Sequence, residues 1–265
     1  MNRGKRRWGI VRWFAFGIPV LLATTSAHAA GQVDPDAVRI LKRMTDQLAG
    51  MQQFSVRTQI VIEDVHSSGR RVDYDVSGDV TVKRPNKMRL VRSGEMNQRF
   101  YYDGDTITLY SPNENVYANR PAPKTLEEMI ALARENVGIV MPAADLVYRD
   151  VFSRLMQDMK LATVVDKTVI NGVKCDHLLF SRPGVDVQVW VAEGKPALPV
   201  KYVVAETDNP LMLSVSTTFS DWNMNPDVND STFKFVAPKG AKMVGFSQTT
   251  SGSVGKPLTP GGSQP

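Results

Sequence analysis

Apolar residues near the start of the folded part of the chain are spaced as they are in an amphipathic helix. Asp34 and Pro35 are typical of a helix start, because Asp accepts hydrogen bonds from free backbone N–H groups and Pro fits the first helical turn. Gly50 marks the end of the pattern. The apolar residues at helical spacing between them are Ala37, Ile40, Leu41, Met44 and Leu48. We therefore predict one N-terminal helix.

The pattern changes at Phe54 to the two-residue period of a half-buried strand. Residues 54–62 and 74–82 both alternate apolar and polar side chains, and a loop at residues 66–70 separates them. This arrangement predicts a long antiparallel hairpin. Shorter strands joined by tight turns are predicted after it, at residues 87–92, 98–102, 106–110 and 116–117.

Two helical segments interrupt the strands after the proline-rich residues 121–123. Thr125 and Glu128 have the spacing of a capping box. Asp150 precedes a second group of apolar residues at helical spacing, and it is a candidate N-cap. We expect the apolar sides of both segments to pack against the concave face of the sheet.

A second block of strands follows the insertion. Asn171 and Gly172 are typical of a type I′ hairpin turn, and Pro183 and Gly184 of a further tight turn. Strands are predicted at residues 163–170, 173–180, 185–191, 198–205 and 211–221. The predicted fold class is α+β and mainly β: a strongly curved antiparallel sheet, an open or half barrel, that encloses the helical insertion and is preceded by the N-terminal helix.

The first residues of the chain are typical of an export signal. Residues 3–7 include four basic side chains, residues 10–23 are mostly apolar, and the Ala-His-Ala sequence at residues 27–29 is a typical cleavage site. We predict a cleavable signal peptide over residues 1–29 and a periplasmic location in a Gram-negative-type bacterium. A retained membrane anchor is the alternative, although an uninterrupted span needs about 20 apolar residues.

The excess positive charge of the chain lies in this leader. The whole sequence has a formal charge of +5, but residues 3–12 contain five basic side chains and no acidic residue precedes Asp34, so the remainder has no net charge. Nucleic-acid binding requires a basic face, and no nucleic-acid partner is therefore expected. The local basic runs at residues 83–84 and 87–92 are interpreted as a solvated strand face.

The rest of the chain is predicted to be one folded domain with a flexible end. The domain covers residues 30–246, and residues 247–265, rich in Ser, Thr, Gly and Pro, are predicted to form a disordered tail. Cys175 is the only cysteine, which excludes an intramolecular disulfide and a zinc site built on cysteines. Since no cysteine lies near Ala29 at the predicted cleavage site, we do not expect the protein to be a lipoprotein.

The predicted order of elements resembles the lipoprotein-carrier superfamily of LolA and LolB. Residues 100–110 resemble a strand pair of that superfamily, and residues 233–239 resemble its terminal strand. A family of predicted periplasmic proteins of unknown function is more similar still, although Val187 stands where that family often has an aromatic residue. The residues shared with this family are Gly172, Cys175, Asp176, His177, Leu178, Asp186, Gln188, Trp190, Gly194, Leu198, Pro199 and Lys201.

The resemblance implies a sheet that curls around an apolar cavity. An acyl chain there would gain roughly 0.8 kcal/mol for each buried CH₂ group, so few polar contacts are needed. We expect a monomeric carrier of a lipid, a lipidated protein or another apolar ligand, with transient contact to an envelope membrane. A cavity of several hundred Å³ would favour this function. The candidate lining residues are Phe54, Ile60, Tyr74, Met88, Leu90, Phe100, Tyr102 and Tyr202.

A filled core is the alternative at these positions. The same side chains would then pack tightly between sheet and helices, and the protein would be a protein-interaction or structural envelope module. Exposed aromatic residues such as Tyr110 and Tyr117, or an open sheet edge, could then contact a protein partner.

The residues from Cys175 to His177 are the main candidates for catalysis. Alternate residues of a strand lie about 7 Å apart, which is too far for a thiol and its base to be in contact. We expect strand pairing to place Cys175 and His177 on the apolar face of Val187, Val189 and Val191, and a slip of one residue would exchange the faces. The opposite face would then hold Asp176, Asp186, Gln188 and Trp190.

No catalytic sequence motif completes such a site. His66 lies in a predicted hairpin loop, and the chain contains no nucleophile elbow, phosphate-binding loop or dinucleotide-binding fingerprint. The side chain of His177 and at most two carboxylates make an incomplete metal site. We expect a non-catalytic protein without a cofactor or a resident metal.

Overall fold

The computed structural model describes residues 33–94, 97–136, 141–208 and 210–246. The predicted signal peptide and the predicted tail lie outside these residues. The helices are α1 (Pro35–Gly50), α2 (Leu126–Asn136) and α3 (Val151–Met156), with short 3₁₀ helices at Ala144–Val147 and Asp230–Phe233. The strands are β1 (Gln53–Val65), β2 (Arg71–Lys83), β3 (Lys87–Gly94), β4 (Gln98–Tyr102), β5 (Thr106–Ser111), β6 (Val116–Pro121), β7 (Leu161–Ile170), β8 (Val173–Arg182), β9 (Val185–Ala192), β10 (Pro199–Glu206), β11 (Ser214–Asn223) and β12 (Lys242–Met243).

Helix α1 begins and ends where the sequence predicts. The carboxylate of Asp34 accepts a hydrogen bond of 2.8 Å from the backbone N–H of Asp36, which satisfies one of the free donors of the first turn. All five apolar residues predicted to lie at helical spacing are buried. The helix therefore packs its apolar side against the core of the domain.

All twelve strands belong to one open sheet whose edges are β12 and β7. β1 lies in the middle, because it pairs with β2 of the first strand block and with β11 of the second. Both pairings are antiparallel, and the burial of β1 alternates as its sequence pattern predicts. The predicted mainly-β fold with an open sheet is confirmed; the short β12, which pairs with β6 in parallel, was not predicted.

The helical insertion crosses the concave side of the sheet. It leaves β6 close to one edge and returns as β7 at the other edge. The hydroxyl of Thr125 accepts a hydrogen bond of 3.2 Å from the backbone N–H of Glu128, in agreement with the predicted capping box. Asp150 precedes α3 but does not cap it, since its carboxylate instead accepts a hydrogen bond of 2.7 Å from Arg154.

One large apolar core joins the sheet to the helices. It contains buried residues of α1, of the insertion and of strands in both blocks, from Ile107 of β5 to Ala162 of β7. A sheet that is open at its edges can contact one core along so many strands only if it curls around that core. A smaller cluster of Ile60, Ile62, Val76 and Val215 lies apart from it.

The register between β8 and β9 differs from the prediction. Arg182 pairs with Val185 across the two-residue turn, so each odd position of β8 faces an even position of β9. The predicted pairing of odd with odd positions was wrong, because it would need an odd number of loop residues. His177 therefore lies opposite Trp190, and Asp176 lies opposite Val191 on the core side.

The C-terminal segment also differs from the prediction. Residues 233–239, which resemble a terminal strand in sequence, contain the end of a 3₁₀ helix followed by chain outside any strand. The ring of Phe235 packs against Tyr101, Tyr110 and Tyr117, with centroid distances of 5.6, 5.4 and 5.0 Å. Phe235 thus covers the two tyrosines proposed as exposed contact residues, and Tyr110 is buried.

Candidate functional site

An apolar void of about 60 Å³ lies between the concave face of the sheet and the insertion. Side chains of α1, β1, β2, β3 and β11 form its walls, and residues 141–144, 146 and 147 of the insertion also line it. We call residues 141–148 the covering turn. The wall residues are Leu48, Phe54, Val56, Thr58, Ile60, Val80, Met88, Leu90, Arg92, Phe219 and Trp222.

Two polar groups in this wall have their hydrogen bonds satisfied elsewhere. The hydroxyl of Thr58 donates to the backbone carbonyl of Gly78 at 3.1 Å. The indole N–H of Trp222 donates to the carbonyl of Pro199 at 3.2 Å, while its ring packs near Phe54 and Phe219. Because neither group needs a partner inside the void, these walls are suited to an apolar occupant.

Arg92 is the one basic side chain among these wall residues. Only 4% of the residue is exposed, and burial lowers the pKa of its guanidinium to about 10. The basic runs at residues 83–84 and 87–92 were predicted to lie on a solvated strand face. This prediction is wrong for Arg84 and Arg92, because both side chains are buried. The alternation of Met88 and Leu90 continues to Arg92, so the inward position was visible in the sequence.

The structure divides the eight predicted lining residues into groups. Phe54, Ile60, Met88 and Leu90 line the void. Phe100, Tyr102 and Tyr202 are buried in the main core without belonging to the wall of the void. Tyr74 is only partly buried and packs against the smaller cluster. Sequence reasoning missed Trp222 and the covering turn, since alternation along one strand does not show which distant segment faces it.

The void is far smaller than a lipid site. Ligand cavities usually measure about 300–1,000 Å³. The expected cavity of several hundred Å³ is therefore not present between sheet and insertion in this conformation, and the covering turn fills that position.

The covering turn itself is held by local bonds and by apolar packing. The backbone N–H groups of Ala144, Leu146 and Tyr148 donate to carbonyls three residues earlier in the chain. Asp145 forms an ion pair of 3.1 Å with Arg134 of α2, which also belongs to the insertion. These described bonds would all survive if the turn moved away from the sheet together with α2.

Asp176 lies on the core side of β8 and joins three elements. Its carboxylate accepts a hydrogen bond of 2.9 Å from Lys167 of β7, and it lies 3.5 Å from the guanidinium of Arg43 in α1. Its side chain is only 9% exposed. The negative charge of Asp176 thus faces two cations, one in β7 and one in α1.

His177 and Trp190 form a stacked pair on the outer face of the sheet. Their ring centroids are 4.0 Å apart and the rings are nearly parallel, at 9°. His177 Nε2 lies 3.0 Å from the side-chain oxygen of Gln188, and the ammonium of Lys201 lies 5.1 Å from the centroid of Trp190. His177 therefore takes the position on the polar face that was predicted for Asp176.

The two carboxylates considered as an acid–base pair lie on opposite faces. Asp176 shares its face with the core, whereas Asp186 lies on the face of Gln188 and Trp190. Cys175 is fully buried, its thiol donates to the carbonyl of Val173 at 3.3 Å, and burial raises the pKa of this thiol. A raised pKa is the opposite of what a nucleophilic cysteine needs.

In the part of the chain that the structure describes, no three His, Cys, Asp or Glu side chains lie close enough together to hold a metal ion. None of the helices described there is sufficiently long and apolar to cross a membrane.

Comparison with protein families assigns the chain. The family model described as "Predicted periplasmic protein (DUF2092)" matches residues 37–247, which is most of the sequence. The chain belongs to this family. The family resemblance seen in the sequence is thus confirmed, and DUF2092 proteins are described as predicted periplasmic proteins. No curated protein matches the sequence.

Several solved structures are similar in fold at low sequence identity. Lipoprotein LppX of Mycobacterium tuberculosis is 17% identical, with 74% of this chain and 100% of that chain covered and a TM-score of 0.48. LprF of Mycobacterium bovis is 15% identical, with 80% of this chain and 100% of that chain covered and a TM-score of 0.43. A LolA superfamily protein of Nitrosomonas europaea is 12% identical, with 75% of this chain and 97% of that chain covered and a TM-score of 0.36.

Proposed function

We propose that this protein is a non-catalytic periplasmic carrier that takes up a lipid, or the lipid part of a lipoprotein, between its sheet and its helical insertion. The observation that carries this proposal is the apolar contact between the covering turn and the sheet around the void. An acyl chain needs such a surface and hardly any hydrogen bonds.

Lipid uptake requires the covering turn to move. A void of about 60 Å³ cannot hold an acyl chain, so uptake needs a conformation in which this space is wider. When the turn withdraws, the apolar surfaces of Leu146 and Val147 leave the sheet, and the acyl chain replaces them. The backbone hydrogen bonds within the turn are local, so they would survive this exchange of apolar contacts.

The contacts of the family-motif residues support a role without catalysis. Cys175 and His177 have different partners: the thiol contacts its own strand, and the imidazole contacts Gln188 and Trp190. The carboxylate of Asp176 is occupied by Lys167. These contacts lie within the second strand block, and the ion pair of Asp176 with Arg43 connects that block to helix α1.

The direct test is to recover the protein from the periplasm and to identify what it carries. Native mass spectrometry gives the bound mass, and organic extraction followed by lipid analysis identifies the class. We expect a stoichiometric lipid or acylated peptide, or its uptake when vesicles are added to the empty protein. A mass equal to that of the protein alone, together with no lipid uptake from vesicles, would contradict the carrier function.

A second candidate function rests on the edge strand β7. Val165 and Val169 of this strand are 48% and 59% exposed, and an open edge with apolar residues can accept a strand from a protein partner. This candidate predicts that a polypeptide without a lipid is recovered with the protein. Replacing Val165 and Val169 with Lys would abolish that recovery, whereas uptake of a lipid would be unaffected.

A further inference from the structure

A second cavity, of about 410 Å³, lies between the insertion and one end of the second strand block. Asp145 and Tyr148 of the covering turn line this cavity, whereas Ala144, Leu146 and Val147 line the void. The covering turn therefore separates an apolar space from a polar one. We call the polar space the basic cleft; its lining residues include Arg134, Arg154, Lys160, Arg182, Asp158 and Tyr202.

The charge of the basic cleft is positive. Four basic side chains line it against the two carboxylates of Asp145 and Asp158. Arg134 is paired with Asp145 at 3.1 Å. Arg154 is paired at 2.7 Å with Asp150, a residue that does not line the cleft. The chain after the leader has no net charge, so this excess is a local feature and not a consequence of composition.

Lys160 and Arg182 are brought together by the sheet. The backbone N–H of Lys160 donates to the carbonyl of Ser181 at 2.9 Å, which places the start of β7 beside the end of β8. In the part of the chain that the structure describes, neither side chain forms an ion pair, and the buried Nε of Arg182 has no hydrogen-bond partner. A buried guanidinium nitrogen without an acceptor is costly unless a ligand supplies one.

Two phenols add uncharged donors to this site. Tyr202 is 2% exposed, and burial raises the pKa of its hydroxyl, as it also does for Tyr148. Both phenols therefore stay protonated at neutral pH and can donate hydrogen bonds. Tyr148 is further fixed by the guanidinium of Arg154, which lies 4.2 Å from its ring centroid.

We propose that the basic cleft binds a phosphoryl group, and, resting on the proposed carrier function, that this group is the head of the carried lipid. Guanidinium forks, an ammonium and phenol donors can together satisfy the several oxygens of a phosphate, whereas a carboxylate offers only two. The acyl chains would occupy the apolar space on the other side of the covering turn. A cavity of about 410 Å³ has room for the head group beyond its phosphate.

The test compares two lipids with the same acyl chains and different heads. Dioleoyl phosphatidylglycerol and dioleoylglycerol are each presented in dodecyl maltoside micelles, and capture is measured by native mass spectrometry. Inorganic phosphate alone is titrated against the protein by NMR. The variant is Lys160→Gln with Arg182→Gln. The matched control is Lys239→Gln with Lys242→Gln, two exposed side chains at or next to β12, which is the sheet edge opposite β7.

We expect the protein and the control variant to prefer phosphatidylglycerol by about tenfold or more, since each charge-assisted contact contributes strongly to binding. The Lys160/Arg182 variant should lose this preference while still capturing dioleoylglycerol, which also shows that it is folded. Phosphate should shift resonances near Lys160 and Arg182 only where these residues are intact.

Two other outcomes separate the two proposals. Equal capture of both lipids, unchanged in the Lys160/Arg182 variant and without a phosphate response, would overturn the phosphoryl site and leave lipid carriage standing. A phosphate response that depends on Lys160 and Arg182, without capture of either lipid, would support the site and contradict the carrier function.

Discussion

The carboxylate of Asp176 lies 3.5 Å from the guanidinium of Arg43, and this ion pair joins strand β8 to helix α1. The same carboxylate accepts a hydrogen bond of 2.9 Å from Lys167 of the edge strand β7. The Nε and Nη2 atoms of Arg43 are buried without a hydrogen-bond partner in the described chain. Asp176 thus supplies the negative charge that Arg43 needs.

Replacing Asp176 with Asn is expected to destabilise the protein by about 1–3 kcal/mol, because a partly buried cation loses its counter-charge. Urea unfolding measures this loss as a lower midpoint with an unchanged slope. The matched control is Asp73→Asn, at an exposed position of β2, which should change stability by less than about 0.5 kcal/mol. Equal effects of the two substitutions would show that the Asp176 contact adds nothing.

Phe235 is expected to hold the C-terminal segment on the outer face of β4, β5 and β6. Its ring contacts three tyrosines, so Phe235→Ala removes aromatic and apolar contacts together, with an expected loss of about 1–3 kcal/mol. The neighbouring Val236 is 83% exposed, and Val236→Ala should have almost no effect. Thermal unfolding of both variants tests this, and a stability loss in Val236→Ala alone would contradict the packing described.

Cys175 is expected to react slowly with thiol reagents while the protein is folded. Burial both shields its sulfur and raises the pKa of the thiol, so the fraction of reactive thiolate at about pH 8 is lower than in a free cysteine. Reaction with a disulfide reagent should be at least about 100-fold slower in buffer than in urea. A fast native reaction would instead indicate an accessible, activated cysteine and would reopen the question of catalysis.

The sequence was most informative where the structure is determined by neighbouring residues. Asp34, Pro35 and the apolar spacing define α1, and the alternation around a short loop defines the β1–β2 hairpin. The pairing of β1 with β11, in which Thr58 lies opposite Phe219, joins segments about 160 residues apart. Many strands could satisfy the same alternation, so no local pattern specifies this partner.

In the candidate site too, local patterns predict some residues, whereas others depend on distant parts of the chain. Phe54, Ile60, Met88 and Leu90 were recognised as inward-facing because alternation assigns a face to each residue of a strand. The covering turn has no such period, and its position over the void depends on how the insertion crosses the sheet. In β8, a one-residue error in the predicted register placed Asp176 and His177 on the wrong faces, because the side-chain period of a strand is two.

The most direct test of lipid uptake uses the position of the tryptophans. The sequence has four Trp residues, and only Trp190 and Trp222 lie after the predicted leader. Trp222 lines the void, whereas Trp190 stacks on His177 on the outer face of the sheet. Trp190→Phe leaves Trp222 as the reporter of the void, and Trp222→Phe leaves Trp190 as the matched control.

The decisive measurement is how strongly a phospholipid brominated on its acyl chains quenches the fluorescence of each tryptophan. Bromine quenches only an indole that it approaches closely. The carrier account predicts strong quenching of Trp222 in the Trp190→Phe variant and little quenching of Trp190 in the Trp222→Phe variant. Absence of quenching in both variants, or equal quenching of the two tryptophans, would contradict uptake of the lipid beneath the covering turn.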